Sequence, residues 1–208
     1  MDVSPADPLA QQRRYSRGLA VREQLLDAAI LSCAQRGYTS CSVVELSAAA
    51  GLSKNHLFHH FGSKERLVLA ALDRALAIWR NDVAGAAQIF PQAERQLDYA
   101  AERLTVLQGK EWPGLRFMAV LALEREGLPA ELRTATEAAL EEIAGFFRRL
   151  FKDSRKGKGS ASYALEAKPK LAASLCVSAL LGSEASGTSP AEVMGLLRGL
   201  LFGSEAAL

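Results

Sequence analysis

An all-α protein is predicted, built as a three-helix head with a helix-turn-helix followed by a larger helical body. Three observations carry that reading. Apolar residues recur at three- and four-residue intervals, and no stretch of useful length alternates apolar with polar residues as a strand would. Glycines and prolines cut the sequence into helix-sized pieces. Residues 42–65, SVVELSAAAGLSKNHLFHHFGSKE, hold two short helical patterns joined by Ala50-Gly51-Leu52-Ser53, the layout of two helices meeting across a tight glycine turn.

Taken in order, residues 1–16 are polar and proline-containing and read as an N-terminal arm. The first helix is predicted from about Arg17 to Arg36, with Val21, Leu25, Ala29 and Cys33 on one face. Gly37 is its natural stop, because glycine takes a left-handed cap at little cost. Ser42 suits the N-cap of a second helix reaching about Ala50, with Val43, Leu46 and Ala50 inward. Ser53 is expected to cap a third helix, in which Leu57 and Phe61 point to the core and His60 packs toward the fourth. Gly62-Ser63 ends it, and Ser63 caps a fourth helix from about Lys64 to Asp82, with Glu65 complementing its dipole. Further helices are expected over about 91–108, 114–126, 129–152, 168–185 and 189–203, with a polar Gly- and Lys-containing loop over 152–169. The domain boundary falls within the fourth helix near Leu69, giving an arm (1–16), a head (17–68) and a body (69–208).

The chain has 208 residues, 49% apolar and 23% charged, enough for a real core and against wholesale disorder. No apolar run reaches the roughly 18 residues of a membrane span. The opening MDVSPADPLAQQRR lacks the basic start and apolar stretch of a secretory signal. Three cysteines, Cys33, Cys41 and Cys176, are odd in number and without C-x-x-C spacing, which suits a reducing compartment. A soluble cytoplasmic protein with no membrane partner is expected. The net charge is only +2, yet residues 13–66 carry eight Lys/Arg against four Asp/Glu, a balance of +4, whereas residues 67–208 carry 17 of each sign. A phosphate-facing surface is therefore expected in the N-terminal quarter.

The third helix can be read chemically. Asn55 and His56 lie in its first turn, where recognition helices meet base edges. An amide can bond an adenine edge in two places, and an imidazole can pair with a guanine acceptor. Lys54, Lys64 and Ser42 are expected to contact phosphates, positioning the head without reading sequence. Ser53 and His59 complete the expected DNA-binding set. Arg13, Arg14 and Arg17 read equally as a basic arm for a minor groove or as a solvated tail. The spacing of His56 and His60, with His59 beside them, also suits zinc. No Cys, Asp or Glu lies among them and Lys54 repels a cation, so no metal is expected.

The order Gly37-Tyr38, Ser42, Leu46, Ala50-Gly51-Leu52-Ser53, Leu57-Phe58, His60-Phe61 and Ser63-Lys64-Glu65 resembles the DNA-binding head of the TetR/AcrR family of bacterial regulators, over about residues 17–70. Phe58 stands where that family often has Tyr, and so lacks a hydroxyl for phosphate. Asn55 stands where it often has a small residue, and Cys33 where an aromatic is common. The resemblance implies that helices four to seven enclose an effector cavity, with Trp79, Phe90, Leu104, Leu107, Trp112, Phe117, Met118, Leu121, Phe146 and Phe147 as candidate lining residues. It also implies a dimer made by the last two helices. Leu171, Leu175, Ala179 and Gly182 recur on one face of the first, and Val193, Leu197 and Leu200 on one face of the second. Each set reads otherwise as plain core.

No G-x-S-x-G, no G-x-x-x-x-G-K and no histidine outside the head offers catalytic chemistry, so no enzyme and no cofactor is expected. Glu124, Glu126, Glu141 and Glu142 read as exposed helical charge. Cys33 and Cys41 read as inert small hydrophobes rather than a redox switch. The implied function is a ligand-responsive repressor that binds a palindromic double-stranded DNA operator as a homodimer and is released by a small apolar effector. The alternatives are an effector-independent structural DNA-binding protein, or a helical small-molecule binder or enzyme with a non-functional head.

Overall fold

A computed structural model describes residues 8–109, 112–154, 179, 189 and 192–196. Among them every regular element is helical. The order is α1 (Pro8–Arg36), α2 (Val43–Ala49), α3 (Lys54–Phe61), α4 (Lys64–Ile78), a π-helical segment (Trp79–Gly85), α5 (Ala93–Gly109), α6 (Gly114–Leu123), a 3₁₀ turn (Arg125–Gly127) and α7 (Ala130–Ser154). No helix among the described residues is long and apolar enough to cross a membrane.

Two boundaries differ from the sequence expectation. The first helix begins at Pro8, so residues 8–16, read as part of an arm, continue α1. The fourth helix ends at Ile78 as an α-helix and continues in π form to Gly85. Ala75, Trp79, Val83 and Ala87 are all at most 1% exposed and recur every four residues. A straight α-helix drifts about 40° over that interval. Wider turns rotate less per residue and keep the stripe on the core.

One core runs through the molecule. Leu25, Ala29 and Cys33 of α1 meet Leu46, Leu57 and Phe61 of the short helices and Leu67, Val68, Ala71 and Leu72 of α4. The same cluster continues through Trp79, Leu97, Leu104, Phe117, Leu121, Ile143 and Phe147. Helix α1 packs on both α4 and α6, so the head is braced by the body as well as by its own fourth helix. At the α1–α4 contact, Arg74 pairs with Glu23 and, at 3.0 Å, with Asp27. Further along, Arg80 grips Glu142 of α7 in a bidentate pair of 2.5 and 2.6 Å, anchoring the π segment.

Candidate nucleic-acid interface

The helix-turn-helix is built by local chemistry. Ser42 Oγ accepts from the Glu45 N–H at 3.2 Å, while Glu45 Oε2 accepts from the Ser42 N–H at 2.8 Å, closing a capping box at the start of α2. Arg36 donates to the same carboxylate at 3.0 Å. Hydrogen bonds from Ser42, then the Arg36 charge, hold the Glu45 carboxyl below the usual range. At the other end, the Leu52 N–H donates to Ser47 C=O at 2.8 Å and the Gly51 N–H to Ala48 C=O at 2.9 Å. This is a Schellman stop, and it needs Gly51 at φ +68. A Cβ there would meet nothing within 4 Å, so backbone conformation and not space demands glycine.

The turn presents α3 with Leu57 and Phe61 buried beneath it. Lys54, Asn55, His56, Phe58 and His59 are all exposed on its outer side, Phe58 by 48%. Ser53 occupies the N-cap position, but its side chain makes no cap hydrogen bond, contrary to expectation. Its Oγ lies 2.9 Å from His56 Nδ1 instead. With the hydroxyl donating, the ring carries its proton on Nε2 and presents an outward donor suited to guanine O6 or N7. His60 is half-buried and stacks edge-on with His59 at 5.1 Å. Its Cε1 lies 4.0 Å from where a Cβ on Gly18 would stand, so it faces α1. Burial, then the neighbouring His59, His56 and Arg22, pushes its pKa below the ordinary 6.5.

Lys64 opens α4 beside the turn that follows α1. Its ammonium donates to the Tyr38 carbonyl at 2.8 Å and sits 3.9 Å over the Tyr38 ring. The half-buried side chain is therefore held from two sides, by the Tyr38 carbonyl and by the Tyr38 ring. Ser63 caps α4 as expected, accepting from the Arg66 N–H at 3.1 Å. On the other side of the Tyr38 turn lies a residue that sequence reasoning misplaced. Glu124 was expected to be exposed helical charge; it is partly buried, and its Oε2 accepts from the Tyr38 N–H at 2.7 Å and the Thr39 N–H at 3.2 Å. Glu142 likewise is engaged, by Arg80.

Cys33 and Cys41 are 0% and 1% exposed, with their thiols in mutual hydrogen-bonding contact. Burial first, then Cys41, pushes the Cys33 pKa up to about 12, so the Cys33 thiol stays protonated at neutral pH.

In the body, Trp79, Leu104, Leu107, Phe117, Met118, Leu121, Phe146 and Phe147 are each at most 7% exposed and belong to the common core. Trp79 meets Phe146 edge-on at 5.8 Å, and Phe146 meets Phe147 at 5.3 Å. Trp112 is partly buried, and its Nε1–H is a buried donor without a hydrogen-bond partner. A separate groove of about 440 Å³ beside α5 is lined by Phe90, Glu94, Arg95, Asp98, Tyr99 and Glu102, of which only Phe90 is among the expected cavity residues. Of the expected dimer residues, Ala179 is exposed and Val193 buried. Leu171, Leu175, Gly182, Leu197 and Leu200 lie outside the described residues.

A helix-turn-helix with a polar outer helix, carried on a helical body, defines the class of protein. Residues 25–71 match the family described as "Bacterial regulatory proteins, tetR family". The HTH-type transcriptional repressor AcnR of Corynebacterium efficiens is 43% identical over 49 residues, which are 24% of this chain and 26% of that protein. The HTH-type transcriptional repressor Rv1474c of Mycobacterium tuberculosis is 34% identical over 92 residues, 42% of this chain and 49% of that one. The matched stretches thus span between a quarter and a half of these relatives. A crystal structure of AibR in complex with isovaleryl coenzyme A and operator DNA superposes with a TM-score of 0.68 at 19% identity, over 88% of this chain and 98% of that one, a likeness of fold. Residues 25–71 are thus similar to the DNA-binding head of the TetR/AcrR family of bacterial regulators, and the fold of the chain is like that of such regulators.

Proposed function

We propose that this protein is a cytoplasmic, ligand-responsive transcriptional repressor, not an enzyme, that binds a palindromic operator as a homodimer. The carrying observation is the outer side of α3, where Lys54, Asn55, His56 and His59 stand exposed on a helix fixed from below by Leu57 and Phe61. Asn55 and His56 read base edges, while Ser42, Ser53, Lys54, His59 and Lys64 hold the backbone. Residues 17–68 act as the head and residues 69–208 as the effector-binding and dimerising body. The symmetry of a dimer sets two such helices about one DNA turn, roughly 34–36 Å, apart.

The effector is small and predominantly apolar, seated among side chains of the Trp79, Phe117 and Phe146 group. The unpartnered Trp112 Nε1–H supports a ligand carrying one hydrogen-bond acceptor, since a buried orphan donor otherwise costs about 1–3 kcal/mol. An effector can shift operator affinity only by its different affinity for two conformations. Coupling of about 1–3 kcal/mol would weaken binding roughly 5- to 150-fold.

Selection of duplexes from random-sequence DNA by the wild-type protein tests the reading. An inverted repeat with half-sites one turn apart, bound at two chains per duplex, is the expected outcome. Recovery of no preferred sequence would favour a structural DNA-binding protein, and recovery of no DNA at all would end the reading.

A further inference from the structure

We propose that Glu124 is the positioning residue through which the body holds the head, so that the end of α6 and the DNA-binding face answer to one another through this carboxylate on the 37–39 turn. This rests on the DNA-binding reading above.

Glu124 is the C-cap residue of α6, one turn beyond the fully buried Leu121. It crosses 85 residues of sequence to accept from two consecutive backbone N–H groups, those of Tyr38 and Thr39. Successive N–H groups converging on one anion form the concavity that backbone turns offer to carboxylates and phosphates. The fit is close: Gly37 stands at φ +87, and a Cβ there would lie 2.1 Å from Glu124 Oε1. Any side chain at position 37 would evict the carboxylate.

The turn that Glu124 grips adjoins two of the expected phosphate contacts of the head, Ser42 and Lys64. The Tyr38 carbonyl accepts from the Cys41 N–H at 3.2 Å, just before the Ser42 cap of α2, and from Lys64 Nζ at 2.8 Å at the start of α4. Moving Glu124 therefore moves the base on which Ser42 and Lys64 are both set. The contact is also poised to open. It places a carboxylate at the C-terminal end of α1, where the helix dipole disfavours negative charge. The two N–H donors and the nearby Lys64 ammonium offset that term, so small shifts of α6 weigh heavily. Phe117, Met118 and Leu121 lie on the same helix, within the group expected around the effector.

Hydrogen–deuterium exchange of the full-length protein, with and without the duplex recovered by the wild type, tests this. In wild type the duplex should slow exchange in α3, in the 36–42 turn and in α6. In Glu124→Ala, and in Glu124→Asp, which keeps the charge but shortens the reach, the free protein's turn should exchange about tenfold faster or more. The duplex should still protect α3 in both, while α6 no longer responds. Glu124→Gln keeps reach and an acceptor oxygen and should restore the response. An α6 that answers DNA equally in wild type, Glu124→Ala and Glu124→Asp overturns the proposal, even if those variants lose stability. A wild type that recovers no duplex overturns the DNA-binding reading instead, and this proposal with it.

Discussion

His60 lies where α3 meets α1, and its setting decides how the head answers to pH. Its folded pKa is held below 6.5, first by burial and then by His59, His56 and Arg22. The folded head therefore binds fewer protons than the unfolded chain in the window just below pH 6.5. The stability contributed by a neutral His60 is fully present above pH 6.5 and is lost as pH falls toward the depressed value. A proton NMR titration of the imidazole should give a midpoint below 6.5; a midpoint at or above 6.5 would contradict this packing. At the same scale, the exposed and buried residues of α3 were legible because period and cap agree over a short stretch. Glu124 was not legible. Its partners are backbone N–H groups 85 and 86 residues away, and a carboxylate at a helix end looks the same in sequence whether solvated or engaged. The one available signal was Gly37, read only as a helix stop, whose missing side chain also makes room for the carboxylate.

The short elements depend on their ends. Helix α2 has only seven residues, too few to persist on propensity, so its capping box and Schellman stop carry much of its definition. Ser42→Ala should cost about 1 kcal/mol, lowering Tm by roughly 2–4 °C for a chain of this size. Ser53→Ala removes no cap hydrogen bond and should stay within about 0.5 kcal/mol of wild type. Thermal unfolding of the two variants side by side checks this, and equal losses would refute the distinction. Both serines precede a helix and read alike in sequence. What separates them is the residue three positions on: Glu45 returns a hydrogen bond to Ser42, whereas His56 takes the Ser53 hydroxyl for its own ring. The π segment was hidden because a four-residue apolar repeat is compatible with a continuous helix. Only packing of Trp79 and Val83 into a core shared with α7 selects the wider turn.

At the scale of the molecule, the fold class followed from period and punctuation, and the head from a coincidence of cap, glycine turn and apolar anchors. The body resists the same reading, because a buried Phe117 or Phe147 serves a filled core and a cavity wall equally well. The proposed assembly makes its own prediction. A charged residue in place of Leu175 or Leu197 should convert the dimer to monomer in sedimentation and remove cooperative operator binding; a monomeric wild type would contradict it, and the palindrome would go too. The account stands most directly on α3 lying against base edges, and one measurement reaches that claim. Affinities of wild type, Asn55→Ala, His56→Ala and Lys54→Ala are compared across every single-base-pair variant of the recovered duplex at several salt concentrations. The account predicts that Asn55→Ala and His56→Ala each lose about 1–3 kcal/mol of discrimination at particular positions of the half-site. Lys54→Ala should weaken all duplexes alike with a shallower salt slope. Wild-type discrimination at every position in both Asn55→Ala and His56→Ala would contradict it.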